Sequence, residues 1–179
     1  MDYYYAYGSN LHPVRVEDRL GSVKLYSTGR LHSAEIQFNK TGGDGSGKGT
    51  IKWVNNPSQC IYGAVYKISE EQERLLDGFE SLGKGYKKIY LDVISENETP
   101  INCFTYQGME QYIDDASIPF DWYKKLVVLG AEFLGFPKEY IRELKKTKSI
   151  SDSNNDRLTL NSLLIERIKQ YKSFKHGEL

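Results

Sequence analysis

Cysteine is scarce in this chain, with Cys60 and Cys103 the only two among 179 residues. Two cysteines cannot build a disulfide framework, and their spacing is not that of metal ligands. Charge of one sign is missing as well, since 24 Lys and Arg stand against 24 Asp and Glu. A zero balance and a pI near 6.8 argue against a nucleic-acid binder, which ordinarily presents a basic face to phosphate. Nor does any run reach the roughly 18–20 apolar residues that span a bilayer. The opening Met1-Asp2-Tyr3-Tyr4-Tyr5 has no basic region ahead of an apolar stretch, so no secretory signal is expected. The expectations are a cytoplasmic protein with reduced thiols, no membrane and no nucleic-acid partner.

What the chain does have is tyrosine, 14 residues of it beside 7 Phe and 2 Trp. A tyrosine joins an apolar ring to a polar tip and suits half-buried strands and the walls of polar pockets. A neutral, tyrosine-rich chain of this length therefore suggests one domain, residues 1–179, around a small-molecule site.

Strand-like patterns fill the first two-thirds and helical ones the last third. Tyr3–Tyr7 is a short aromatic strand ended by the turn cluster Gly8-Ser9-Asn10. A brief helix is expected over His12–Leu20, with Pro13 tolerated in its first turn. Strand-like stretches follow within Ser22–Phe38, then Thr50–Val54 and Cys60–Ile68. Ser69-Glu70-Glu71-Gln72 is a capping box that opens a helix running to Phe79, with Leu75, Leu76 and Phe79 expected to face inward. Lys87–Ser95 and Pro100–Tyr106 pair as strands. Helices are expected over Trp122–Leu134, Lys138–Lys146 and Leu158–Tyr171, the last (157–172) packing on the domain, with a polar linker at Ser149–Asn155 and a flexible tail at 173–179.

Most candidate motifs fail on chemistry. Gly42-x-x-x-x-Gly47-Lys48 nearly spells a phosphate-binding loop, but Gly49 replaces the magnesium-binding Ser or Thr, and a strand follows where a helix is required. The whole segment Thr41–Gly49 reads as flexible loop. His12, His32 and His176 share no ligand spacing, so no metal is expected. Neither cysteine has a histidine beside it to make it a nucleophile.

Two segments survive. In Tyr4-Tyr5-Ala6-Tyr7-Gly8-Ser9-Asn10-Leu11 the strand ends where unpaired backbone N–H groups suit an anion, although on these residues alone an ordinary strand-to-helix turn is the favoured reading. In Leu76-Asp77-Gly78-Phe79-Glu80, followed by Gly83, Gly85 and Tyr86, Glu80 closes an apolar helix. Wedged beside Phe79 and Tyr86 it would be partly desolvated and suited to act as a general base. The alternative is a solvated glutamate at a helix C-terminus, and spacing alone does not decide.

Taken in order, these segments resemble the γ-glutamylcyclotransferase family. The resemblance is carried by Tyr4–Leu11, Ile61-Tyr62-Gly63-Ala64-Val65-Tyr66, Leu76–Glu80, Tyr86 and the stretch Tyr123-Lys124-Lys125 through Ala131. It implies an α+β fold, a small mixed β-barrel with flanking helices. It also implies an enzyme that turns a γ-glutamyl amino acid into 5-oxoproline and a free amino acid, without cofactor or metal. Glu80 matches the acid–base position. Tyr4, Tyr5, Ala6, Tyr7, Gly8, Ser9, Asn10, Tyr86 and Tyr123 match positions at or near the substrate. Ser9-Asn10-Leu11 leans toward the γ-glutamyl amino acid type, with a cyclotransferase of the same fold acting on γ-glutamylamines or a biosynthetic γ-glutamyl group, or a non-catalytic metabolite-binding module, as alternatives. The resemblance admits a homodimer.

Overall fold

The computed structural model describes residues 2–171, so His176 and the expected tail at 173–179 lie outside the described residues. Seven strands and five α-helices follow in the order β1 (Asp2–Ala6), α1 (Pro13–Leu20), β2 (Lys24–His32), β3 (Ala34–Thr41), β4 (Gly47–Trp53), β5 (Cys60–Ile68), α2 (Glu70–Phe79), β6 (Tyr86–Ser95), β7 (Pro100–Gly108), α3 (Asp121–Phe133), α4 (Lys138–Lys146) and α5 (Asn155–Gln170). Five strands close a barrel in the order β1-β5-β2-β6-β7, while β3 and β4 form a separate hairpin. β1 completes the closure: it pairs antiparallel with β5 through Tyr4 and Tyr66, and parallel with β7 through Tyr4 and Phe104. The mixed barrel with flanking helices is the expected fold class. Among the described residues no helix is long and apolar enough to cross a membrane.

Side chains alternate between the two faces of a strand, and a closed barrel can receive helices only on its outer face. Tyr4, Ala6, Ala64, Tyr66, Phe104 and Tyr106 pack with residues of α1, α2, α3 and α5. Tyr5, Ile61, Val65, Val93 and Cys103 form the other cluster, within the barrel. Five strands leave little interior, and the room for an aromatic ring comes from Gly63: a Cβ there would lie 2.3 Å from the Tyr5 ring. Gly29 lies directly opposite Gly63 in the register. The Tyr5 hydroxyl, taken out of water, donates to the Ile61 carbonyl at 2.7 Å. Burial pushes the Cys103 thiol up to about 12, so it packs as an inert neutral group.

The capping box at α2 is present, with the Gln72 N–H donating to Ser69 Oγ and the Ser69 N–H to Gln72 Oε1. Gln72 Nε2 also donates to the Leu20 and Ser22 carbonyls, tying the start of α2 to the end of α1. The inward face expected for α2 is corrected: Leu76 is fully buried, but Leu75 and Phe79 are about half exposed. Phe79 instead meets α1 at its rim, where the Arg19 guanidinium lies 5.1 Å from the centre of the phenyl ring. The polar segment at 149–155 holds more structure than a linker. Asp152 accepts two hydrogen bonds from the Arg157 guanidinium, at 2.6 and 2.7 Å, and one from the Trp122 indole at 2.8 Å. That guanidinium holds the Asp152 carboxyl well below the usual carboxylate range, and Asn154 then caps α5.

The segment Thr41–Gly49 is likewise not a flexible loop. Gly42 N–H donates to the Ser46 carbonyl at 2.8 Å, and Asp44 accepts from the Ser46 N–H and hydroxyl. The result is a tight connection between β3 and β4, with Gly47–Gly49 already in the strand.

Two predictions concern stability. His12 caps α1 by accepting the Val14 N–H at Nδ1, is 1% exposed, and packs on Phe133 and Tyr171. Burial lowers its pKa from 6.5 to about 4. Between those values the unfolded chain binds the extra proton, so stability falls as pH drops through the window, by about 3 kcal/mol in all. Urea midpoints from pH 7 to 4 should fall less in His12→Asn than in wild type; parallel slopes would refute the role of His12. In α3, a Cβ at Gly130 would lie 2.4 Å from the Leu11 Cβ and 3.0 Å from the His12 backbone nitrogen. Gly130→Ala should therefore lose about 1–3 kcal/mol in chemical denaturation, although helix propensity alone predicts a gain of about 1 kcal/mol.

Candidate active site

At the end of β1 the chain leaves the barrel through Tyr7, Gly8, Ser9 and Asn10 and turns into α1, the Leu11 N–H closing the turn on the Gly8 carbonyl at 3.1 Å. A narrow slot of about 30 Å³ opens there, lined by Tyr4, Tyr7, Gly8, Ser9, Asn10, Gly49, Glu80, Tyr86, Thr105, Tyr106 and Tyr123. The N–H groups of Gly8, Ser9 and Asn10 donate no hydrogen bond among the described residues. The slot adjoins a chamber of about 250 Å³ that shares Ser9, Glu80, Tyr86 and Tyr123 with it. Together they approach the lower end of the roughly 300–1,000 Å³ typical of ligand pockets.

Glu80 ends α2, and its side chain turns back toward α1. Its Oε1 accepts from Asn10 Nδ2 at 3.0 Å and from Arg19 Nη1 at 2.8 Å. The ion pair is mostly withdrawn from water, the side chains being 17% and 15% exposed. Oε2 takes no hydrogen bond among the described residues and remains available. The same Asn10 amide donates to the Tyr4 hydroxyl at 3.0 Å, so one side chain links the barrel, the turn and the carboxylate.

The tyrosines divide into two structural roles. The Tyr7 hydroxyl donates to the Tyr106 carbonyl at 2.6 Å. The Tyr86 hydroxyl donates to the Gly49 carbonyl at 2.8 Å, while the Gly49 N–H donates to the Tyr123 hydroxyl at 2.9 Å. A pair of phenols from β6 and α3 thus clamps both polar groups of one glycine in β4. The Tyr4 hydroxyl donates to no acceptor among the described residues, and the Tyr123 hydroxyl also interacts with the Ser9 side chain. Burial raises the pKa of Tyr4, Tyr7, Tyr86, Tyr106 and Tyr123, each above the ordinary phenol value. These hydroxyls stay protonated at neutral pH and act as donors, never as bases.

Of the residues expected at the site, Tyr4, Tyr7, Gly8, Ser9, Asn10, Glu80, Tyr86 and Tyr123 line the slot. Tyr5 and Ala6 do not. Strand alternation turns Tyr5 into the barrel interior and Ala6 toward the helix-covered face, both with no exposed surface. Sequence reading missed Arg19, Arg15, Gly49, Thr105 and Tyr106. The two arginines carried a signal: four residues apart, they share one face of the helix that follows the Gly8–Asn10 turn. Gly49 carried none, because its place depends on a hairpin folding over the barrel end. Among the described residues no group of three His, Cys, Asp or Glu is arranged to hold a metal.

A small closed mixed barrel with a carboxylate and a ring of phenols at one end defines a polar small-molecule site. The model of the AIG2-like family matches residues 60–144. A γ-glutamylcyclotransferase of Bos taurus is 32% identical over 149 residues, covering 79% of this chain and 76% of that protein. The Homo sapiens γ-glutamylcyclotransferase is 30% identical over 150 residues with the same coverage. A solved structure of a γ-glutamyl cyclotransferase superposes with a TM-score of 0.78 at 25% identity, covering 90% of this chain and 98% of that one. The chain belongs to the γ-glutamylcyclotransferase family and is an enzyme of that kind.

The clamp on Gly49 yields a prediction. Tyr123→Phe removes the acceptor of a buried N–H and should cost about 1–3 kcal/mol, read as a lowered urea midpoint. An unchanged midpoint would mean that the β3–β4 hairpin is held by other contacts.

Proposed function

We propose that the enzyme cyclises γ-glutamyl amino acids to 5-oxoproline and a free amino acid, with Glu80 as the acid–base group. One observation carries this reading: Glu80 is the sole carboxylate lining the slot among the described residues, and every other titratable group there is a phenol that burial keeps protonated.

The chemistry follows from the substrate. Its α-amine is charged near neutral pH and cannot attack until it loses a proton. Glu80 Oε2 takes that proton, and the nitrogen closes on the γ-carbonyl carbon to form a five-membered ring. Glu80 passes the first proton to the leaving nitrogen and, once free again, takes the second from the ring nitrogen. The tetrahedral intermediate then collapses, the bond to the leaving nitrogen breaks, and Glu80 hands the second proton to the departing amine. No water is consumed, and no enzyme nucleophile is required. The anchoring of Oε1 by Arg19 and Asn10 fixes the orientation of the carboxylate without occupying its working oxygen.

The rest of the work is positioning. A glutamyl chain is flexible, and holding its amine against its own γ-carbonyl removes a large entropic part of the barrier. The uncommitted N–H groups at Gly8–Asn10 suit the α-carboxylate. The Tyr4 and Tyr123 hydroxyls are donors positioned for the oxygen that becomes negative in the tetrahedral intermediate.

Glu80→Gln preserves shape and keeps an acceptor for Asn10. It should lower 5-oxoproline release from γ-glutamyl amino acids by about 10²–10⁴-fold while the circular dichroism spectrum stays native. A folded variant with full activity would rule Glu80 out as the base.

A further inference from the structure

The chamber beyond the slot has an unbalanced charge. Its walls carry Arg15, Arg19, Lys40 and Lys48 against Asp44 and Glu80. Arg19 is neutralised by Glu80 at 2.8 Å, and Lys48 by Asp44 at 2.7 Å. Arg15 and Lys40 have no carboxylate partner among the described residues. Arg15 buries its Nε without any hydrogen-bond partner, and burial lowers its pKa to about 10. Lys40 is 5% exposed, its ammonium resting 4.4 Å from the centre of the Tyr86 ring.

Burying a cation costs free energy unless something compensates it, and two glycines leave room for the Lys40 side chain. A Cβ at Gly85 would lie 2.6 Å from Lys40 Nζ, and one at Gly108 would lie 3.0 Å from its Cγ. The lysine stem thus runs in a groove floored by glycine to reach the chamber wall. An ordinary surface lysine would turn outward to water.

Resting on the cyclotransferase reading, we infer that Arg15 and Lys40 bind a carboxylate on the leaving side of the substrate. They thereby select γ-glutamyl amino acids and peptides over γ-glutamylamines. The slot is small enough to take only the charged head of the glutamyl group, whose amine and γ-carbonyl must both meet Glu80. Whatever is attached to the γ-carbonyl then projects into the chamber, where the two unpaired cations lie. An amino acid or peptide brings a carboxylate there and an amine brings none.

The test uses γ-glutamyl-alanine and γ-glutamyl-ethylamine, which differ only by that carboxylate. Wild-type enzyme should favour the alanine compound by about 10–100-fold in kcat/KM, the worth of a charge-assisted hydrogen bond. Lys40→Met should bring the ratio toward one, mainly by raising KM for the alanine compound, and Lys40→Arg should restore the preference. The proposal is overturned if wild type shows no preference. It is equally overturned if Lys40→Met lowers both rates alike, since the ethylamine compound keeps the glutamyl carboxylate. Should wild type cyclise neither compound, the catalytic reading fails separately; calorimetric affinities for the same pair then decide the subsite, equal values refuting it.

Discussion

The Arg19–Glu80 ion pair joins the last turn of α1 to the end of α2, and Asn10 extends it through the Tyr4 hydroxyl into the barrel wall. Tyr4, Asn10 and Arg19 lie within one short stretch of chain, and Glu80 joins them from 61 residues beyond Arg19. Removing one partner would strand the other in a poorly solvated place, a costlier outcome than the pair is worth. The network therefore constrains geometry more than it adds stability. It orients one oxygen of the carboxylate and leaves the other clear, which is what proton transfer at a fixed point requires.

The barrel makes that constraint possible. With β1 hydrogen-bonded on both sides, to β5 and to β7, the strand feeding the Gly8–Asn10 turn cannot shift without breaking two ladders. The turn thus has a rigid base despite being a loop, and backbone N–H groups can be held toward a ligand with little entropic loss on binding. The phenols complete the wall. Their burial removes them from acid–base chemistry and leaves directed donors, so the high tyrosine content separates into barrel packing at Tyr5 and site construction at Tyr4, Tyr7, Tyr86 and Tyr123.

The β3–β4 hairpin shows how a misleading motif acquires a different use. Its glycines lack the helix that would make a phosphate-binding loop. Gly49 instead brings a bare backbone between the Tyr86 and Tyr123 hydroxyls, where even a Cβ would lie 3.3 Å from the Tyr123 oxygen. Lys40 and Lys48 leave the same hairpin toward the chamber, one unpaired and one held by Asp44. The composition of 42–49 signalled freedom, whereas the register between Thr41 and Gly47 removes it.

Local patterns in the sequence determined the order and kind of most elements: the capping box at Ser69–Gln72, the turn after Tyr7, the alternation through β6, and the helical period after Pro119. The ordered motifs also marked Glu80 and the Gly8–Asn10 turn. Each is a short-range property, readable because the residues that cause it are neighbours in the chain. Which cation meets Glu80, which face Tyr5 presents, and where Gly49 and Lys40 end were decided by tertiary structure alone. Those outcomes depend on barrel closure and on contacts across 61 residues, as between Arg19 and Glu80, or 74, as between Gly49 and Tyr123. A linear pattern carries no distance at that range, so the chemistry of the site emerges only when the strands close.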